Sequence, residues 1–161
     1  MRRGFRALTL SRKETLMAGA KKPVAISLGV VFSLVSAFHV VGVFGAWDDL
    51  PVLPVTPDTP APRASPISWL FVAAALAFAT MIVLARGDML LTSLPSRLTT
   101  LACAVLGAIF VLRSIGEFQM FGFFRKVSGT DFAFWDTWLY TPLALMLGLG
   151  ALWLAITPRN R

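Results

Sequence analysis

Residues 112–142 read LRSIGEFQMFGFFRKVSGTDFAFWDTWLYTP, from Leu112 to Pro142. The stretch begins inside one long apolar run and ends inside the next. Between them lie Arg113 and Glu117, a Gly129-Thr130-Asp131 turn, then Asp136 and Tyr140. The flanking runs, about 97–118 and 138–156, each approach the roughly 20 residues a helix needs to cross a hydrocarbon core. Two further runs of that kind lie upstream, at about 23–47 and 67–85. The expected fold is therefore all-α: a polytopic membrane protein, an antiparallel bundle of four transmembrane helices.

Composition agrees. The chain is 57% hydrophobic and 14% charged, with a mean hydropathy of +0.74. An ordinary soluble domain is about 45–50% apolar and about 25% charged. The formal net charge is +7, but the basic residues cluster in the first 22 positions and at the ends of the runs. Membrane orientation explains that placement, so no nucleic-acid partner is expected. The single cysteine, Cys103, lies mid-run, which excludes an intrachain disulfide and a Cys-x-x-Cys redox pair. It reads as a small buried apolar residue.

In chain order, residues 1–22 form a basic tail with Arg2, Arg3, Arg6, Arg12, Lys13, Lys21 and Lys22 against Glu14. The apolar run after it is too long for a cleaved signal peptide, and a signal anchor fits better. Met17 is a second candidate start. Phe5, Leu8 and Leu16 suit a segment lying on an anionic membrane surface, and a disordered tail is the alternative. Pro23 suits a first helical turn. Gly29, Ser33, Ser36 and Ala37 suit close helix contact. Residues 48–66 hold Pro51, Pro54, Pro57, Pro60, Pro62 and Pro66, which predicts an extended strap. Trp69 and Phe71 take an interfacial position. Arg86-Gly87-Asp88 resembles a cell-adhesion tripeptide but falls in a short connection expected to be cytoplasmic. Ser96 is a candidate helix cap. Residues 23–157 are taken as the membrane domain and 158–161 as a short cytoplasmic end.

Basic residues are uneven between the two sides. The tail, Arg86, Arg97, Arg159 and Arg161 give eleven on one side; Arg63, Arg125 and Lys126 give three on the other. The richer side is expected to be cytoplasmic, which puts both termini in the cytoplasm and the protein in the plasma membrane of a bacterium.

His39 and Arg113 each lie about 16 residues into an outgoing helix, about 24 Å from its start by the helical rise. Glu117 follows Arg113 by four residues and is expected to pair with it. Asp136 and Tyr140 are also four apart. His39, Arg113, Glu117, Thr130, Asp136 and Tyr140 are thus the candidate polar cluster, just below the outer surface. Charges at such depth face a bundle interior or a wet cavity. The bland alternative is that Arg113 and Glu117 only neutralise each other, or that Arg113 snorkels to the interface. Gly129-Thr130 is expected to fold the long 119–137 connection back over the bundle. Its aromatic run, Phe118, Phe121, Phe123, Phe124, Phe132, Phe134, Trp135 and Trp138, reads as an interfacial belt. One His and no carboxylate pair on one helix give no metal site, and no phosphate loop or nucleophile elbow occurs. No metal and no cofactor are expected.

The same residues carry a resemblance. Arg113-Ser114-Ile115-Gly116-Glu117-Phe118, Gly122-Phe123-Phe124-Arg125-Lys126-Val127, Gly129-Thr130-Asp131-Phe132-Ala133 and Asp136-Thr137-Trp138-Leu139-Tyr140-Thr141-Pro142 form one long run. That run resembles a bacterial membrane family known only as a domain of unknown function, DUF3995. His39, Gly45 and Trp47 resemble its first helix, with Val41-Gly42 where an aromatic pair is expected. The resemblance covers about residues 24–156. It implies a four-helix membrane architecture and no activity.

Three functional classes stay open: an outward-facing pocket for a small or lipid-like ligand, a membrane enzyme with His39 or Glu117 as general base, and a structural accessory subunit. Expected partners are the bilayer, such a ligand, and a second copy or another membrane protein.

Overall fold

The computed structural model describes residues 2–47, 50–58 and 63–158, with side chains from residue 19 onward. Expectations resting on Asp48, Asp49, Pro60, Pro62, Arg159 and Arg161, or on side chains of the basic tail before residue 19, lie outside the described residues. The elements are α1 (Arg2–Gly42), α2 (Pro66–Arg86), α3 (Ser96–Ile115), α4 (Asp131–Trp135), a π-helical turn (Asp136–Tyr140) and α5 (Thr141–Ile156). No strand occurs among the described residues. Four helical stretches are long and apolar enough to cross a membrane: Gly19–Gly42, Pro66–Arg86, Ser96–Ile115 and Asp131–Ile156. The protein is an all-helical, multi-pass membrane protein, a bundle of four transmembrane helices.

The helix ends differ from the expected ones for local reasons. α1 begins at Arg2, so Pro23 lies inside it rather than in its first turn. There its missing N–H deprives the Gly19 carbonyl of a helical donor. α1 stops at Gly42, and turns over 43–47 include Gly45 at φ 78°. α3 stops at Ile115 rather than Phe118, because Gly116 takes φ 87°. Its first residue is Ser96, which lies inside the helix and does not cap it; Pro95 holds the cap position without a side-chain bond. The fourth span starts at Asp131 instead of Trp138, since the Thr130 hydroxyl accepts from the Ala133 N–H and caps α4. Ser65 does the same for α2 by accepting from the Ser68 N–H.

Packing follows membrane rules, in which small residues and polar links hold helices together. α1 packs mainly on α2, and α3 mainly on α5. In the first pair, Ser33 meets the Thr80 hydroxyl at 3.3 Å and Ser36 donates to the Ala73 carbonyl at 2.8 Å. Gly29 lies against Leu84, while Ala37 is exposed. In the second pair, Gly107 and Gly148 cross so closely that a Cβ on Gly148 would lie 2.8 Å from the Val111 nitrogen. Cys103 is buried and its thiol lies 3.2 Å from the Ala151 carbonyl. Phe32 and Phe110 join the pairs edge to face at 5.2 Å. Leu101, Leu112, Met146 and Ile156 point outward, as lipid contact requires.

One end of the bundle carries the start of the first span, the end of α5 and the α2–α3 connection. Lys21 is 2% exposed and pairs with Asp88 at 2.7 Å. Arg86 donates to the carbonyls of Ala155 and Thr157, at the C-terminal end of α5. The Arg86-Gly87-Asp88 tripeptide is thus used internally. The opposite end carries the proline strap and the loop 116–130.

Candidate functional site

The site lies at the strap end and is built around the loop that follows α3. Gly116 and Gly122, both at φ 87°, turn the chain back on itself. Phe123 N–H then donates to the Ser114 carbonyl at 2.9 Å, and Lys126 and Val127 both donate to Gln119. Phe118 holds φ 69° within this loop, a left-handed conformation unusual for a bulky residue.

Asp136 is 0% exposed and is the hub. Its Oδ1 accepts from Arg113 Nη2 at 2.7 Å. Its Oδ2 accepts from the Gly122 N–H at 2.8 Å and, more distantly, from Arg125 Nη1 at 3.5 Å. Arg125 also donates to the Ala133 carbonyl and to the Thr137 hydroxyl. The Arg113 guanidinium stacks over Phe121, 4.5 Å from the ring centre.

The expected Arg113–Glu117 pair does not form. Their four-residue spacing presumes a continuing helix, and Gly116 ends that helix. Glu117 instead accepts from the Met120 N–H at 2.8 Å in the exposed loop. Asp136 is buried outside the cavity that Tyr140 lines, although both lie in one π-helical turn. The π-helical turn joins the Thr141 N–H to the Asp136 carbonyl, five residues apart instead of four. Thr130 is a helix cap.

A cavity of about 520 Å³ opens between the two helix pairs at this end. His39, Arg113 and Tyr140 line it, whereas Glu117, Thr130 and Asp136 do not. The remaining lining is apolar and includes Leu34, Val72, Phe110 and Phe132. Val52 of the strap closes one edge. The Tyr140 hydroxyl makes a long bond of 3.5 Å to the Pro51 carbonyl. Trp47 fixes the start of the strap, donating to the Phe38 carbonyl and stacking on the Phe38 ring at 4.9 Å.

His39 Nδ1 lies 2.7 Å from the Val35 carbonyl. A carbonyl only accepts, so Nδ1 carries the proton and Nε2 is the nitrogen left for other partners. The ring packs against Trp69 at 5.2 Å.

Arg125 and the apolar lining escaped the sequence reading. Arg125 stood there only as a loop charge, and its sole signal was its place in the Gly122–Val127 run. Among the described residues no three of His, Cys, Asp and Glu gather to hold a metal ion.

Comparison with known proteins finds one family: the model for a protein of unknown function (DUF3995) matches residues 29–151. No curated protein and no solved structure matches.

Proposed function

The chain belongs to DUF3995, a family of unknown function, and we propose that it is a small integral membrane protein that binds a lipid-like ligand. The supporting observation is the cavity of about 520 Å³ between the helix pairs, lined by apolar side chains and by Arg113, His39 and Tyr140. Its size falls within the roughly 300–1,000 Å³ usual for ligand sites. A few polar groups converging in an apolar pocket are the ordinary design for fixing a ligand's orientation.

Of the six candidate residues, His39, Arg113 and Tyr140 are the ligand-facing ones in this reading. Asp136 positions Arg113, while Glu117 and Thr130 shape the loop. The protein resides in a bacterial plasma membrane with both termini cytoplasmic and the cavity at the outward end, following the bias in basic residues. Residues 1–22 are its basic tail, 23–157 its membrane domain and 158–161 its C-terminal end.

Native mass spectrometry of protein released from a lipid extract tests the reading. The parent is expected to retain a bound amphiphile, and the cavity-filling Leu143→Trp to lose it at unchanged folded yield. Equal retention by both would place the lipid on the outer surface and overturn the reading.

A further inference from the structure

We propose that the cavity takes an amphiphile whose head bears a single negative charge, held by Arg113, with its aliphatic chain in the cavity. The proposal rests on the ligand-pocket reading and names the chemistry of its ligand.

Charge carries it. Two guanidiniums, Arg113 and Arg125, share one buried carboxylate, Asp136, which leaves the cluster one positive charge in excess. Glu117 is turned away to the Met120 N–H and does not balance it. At membrane depth such a surplus calls for a counter-charge. Arg125 donates to the Ala133 carbonyl and the Thr137 hydroxyl and does not line the cavity. Arg113 uses only Nη2 on Asp136, and its Nη1 finds no acceptor. Its side chain is 32% exposed and forms part of the cavity wall. A guanidinium so placed suits a carboxylate or a phosphodiester.

The rest of the wall sets the remaining chemistry. Leu34, Val72, Phe110, Leu143 and Leu147 offer nothing to a polar chain and much to an aliphatic one. A dianionic head would overshoot the surplus and leave a negative charge among apolar groups. A cationic head would meet Arg113 as a like charge. A neutral head would leave the surplus where it is. The Nε2 of His39 and the Tyr140 hydroxyl are the polar groups left to orient the head.

One head chemistry has two sources, a free long-chain acid and an anionic bilayer lipid, and the test separates them. The full chain is placed in nanodiscs of phosphatidylcholine and titrated with radiolabelled hexadecanoate, hexadecanol and hexadecyltrimethylammonium. Hexadecanoate is expected to bind at least tenfold more tightly than hexadecanol, and the cation to stay at background. Arg113→Gln should remove that preference, and Arg113→Lys should keep part of it. Adding phosphatidylglycerol to the disc then assigns the source. Competition means the bilayer lipid and its absence means the free acid, and either upholds the shared chemistry. Equal binding of acid and alcohol to the parent would overturn the charge inference and leave the pocket standing. Binding of no amphiphile would overturn the pocket reading with it. The head-group series is read on the parent protein, so a poorly folding variant does not remove the test.

Discussion

Gly116 and Gly122 lie back to back, so that a Cβ on Gly122 would come within 2.4 Å of the Gly116 Cα and one on Gly116 within 1.9 Å of the Phe121 carbonyl oxygen. Both hold φ 87°, where a side chain costs about 1–2 kcal/mol before any clash. Gly122→Ala is expected to lower folded yield and melting temperature in detergent sharply. Gly129→Ala provides the control: its φ is 79°, but a Cβ there meets nothing within 4 Å. It should show the conformational cost alone. Equal losses at the two positions would mean that the close approach is not what holds the loop.

Asp136→Asn should be among the most damaging single changes at the strap end. It leaves two guanidiniums facing each other without a carboxylate. Stranding buried charge costs about 3–5 kcal/mol. Glu117→Gln should be close to silent, since its carboxylate serves one exposed backbone amide. Thermal unfolding of both variants in the same detergent decides the matter. A Glu117 variant as unstable as the Asp136 one would restore the Arg113–Glu117 pairing.

Lys21 and Asp88 allow a double-mutant cycle at the other end. Lys21 is 2% exposed and Asp88 20%, at 2.7 Å. Lys21→Met or Asp88→Asn alone should destabilise by about 3–5 kcal/mol, and the double change should recover much of that. Additive losses would show two independent roles.

Gly148→Val should drive α3 and α5 apart, because its first added carbon already lies 2.8 Å from the Val111 nitrogen. A tight crossing of this kind supplies association that lipid-exposed leucines cannot. Lower melting temperature, together with new protease sites in the loop 116–130, is the expected outcome.

Orientation is checked with reporter fusions. A cytoplasm-active reporter at the C-terminus and a periplasm-active one near Thr59 should both work, given the bias in basic residues. The reverse pattern would invert the layout and turn the cavity toward the cytoplasm.

The four spans were legible because a run of about 20 apolar residues has few other uses. The site was legible only in part. His39, Arg113 and Tyr140 stood out as rare polar side chains in apolar surroundings, and all three line the cavity. Their partners did not stand out. Glu117 looked like the mate of Arg113 only while α3 was taken to run on past Gly116, and nothing in the spacing marked Asp136 as the partner of Arg113. Phe110 and Leu143 face the cavity while Leu112 and Met146 face lipid. In sequence these are the same kind of residue, since both environments are apolar.

Asp136 gathers the last turn of α3 through Arg113, the returning loop through the Gly122 amide, and the start of the fourth span on which it sits. Segments tied to one buried carboxylate are coupled through it, because losing either contact weakens the hold on the other. Residues 116–130 lack regular structure, yet the Gly122 amide is held by the same buried carboxylate that holds Arg113. Its deuterium uptake should therefore keep pace with α3 and α5 and lag far behind that of the proline strap, so that the loop opens with the bundle as one cooperative unit.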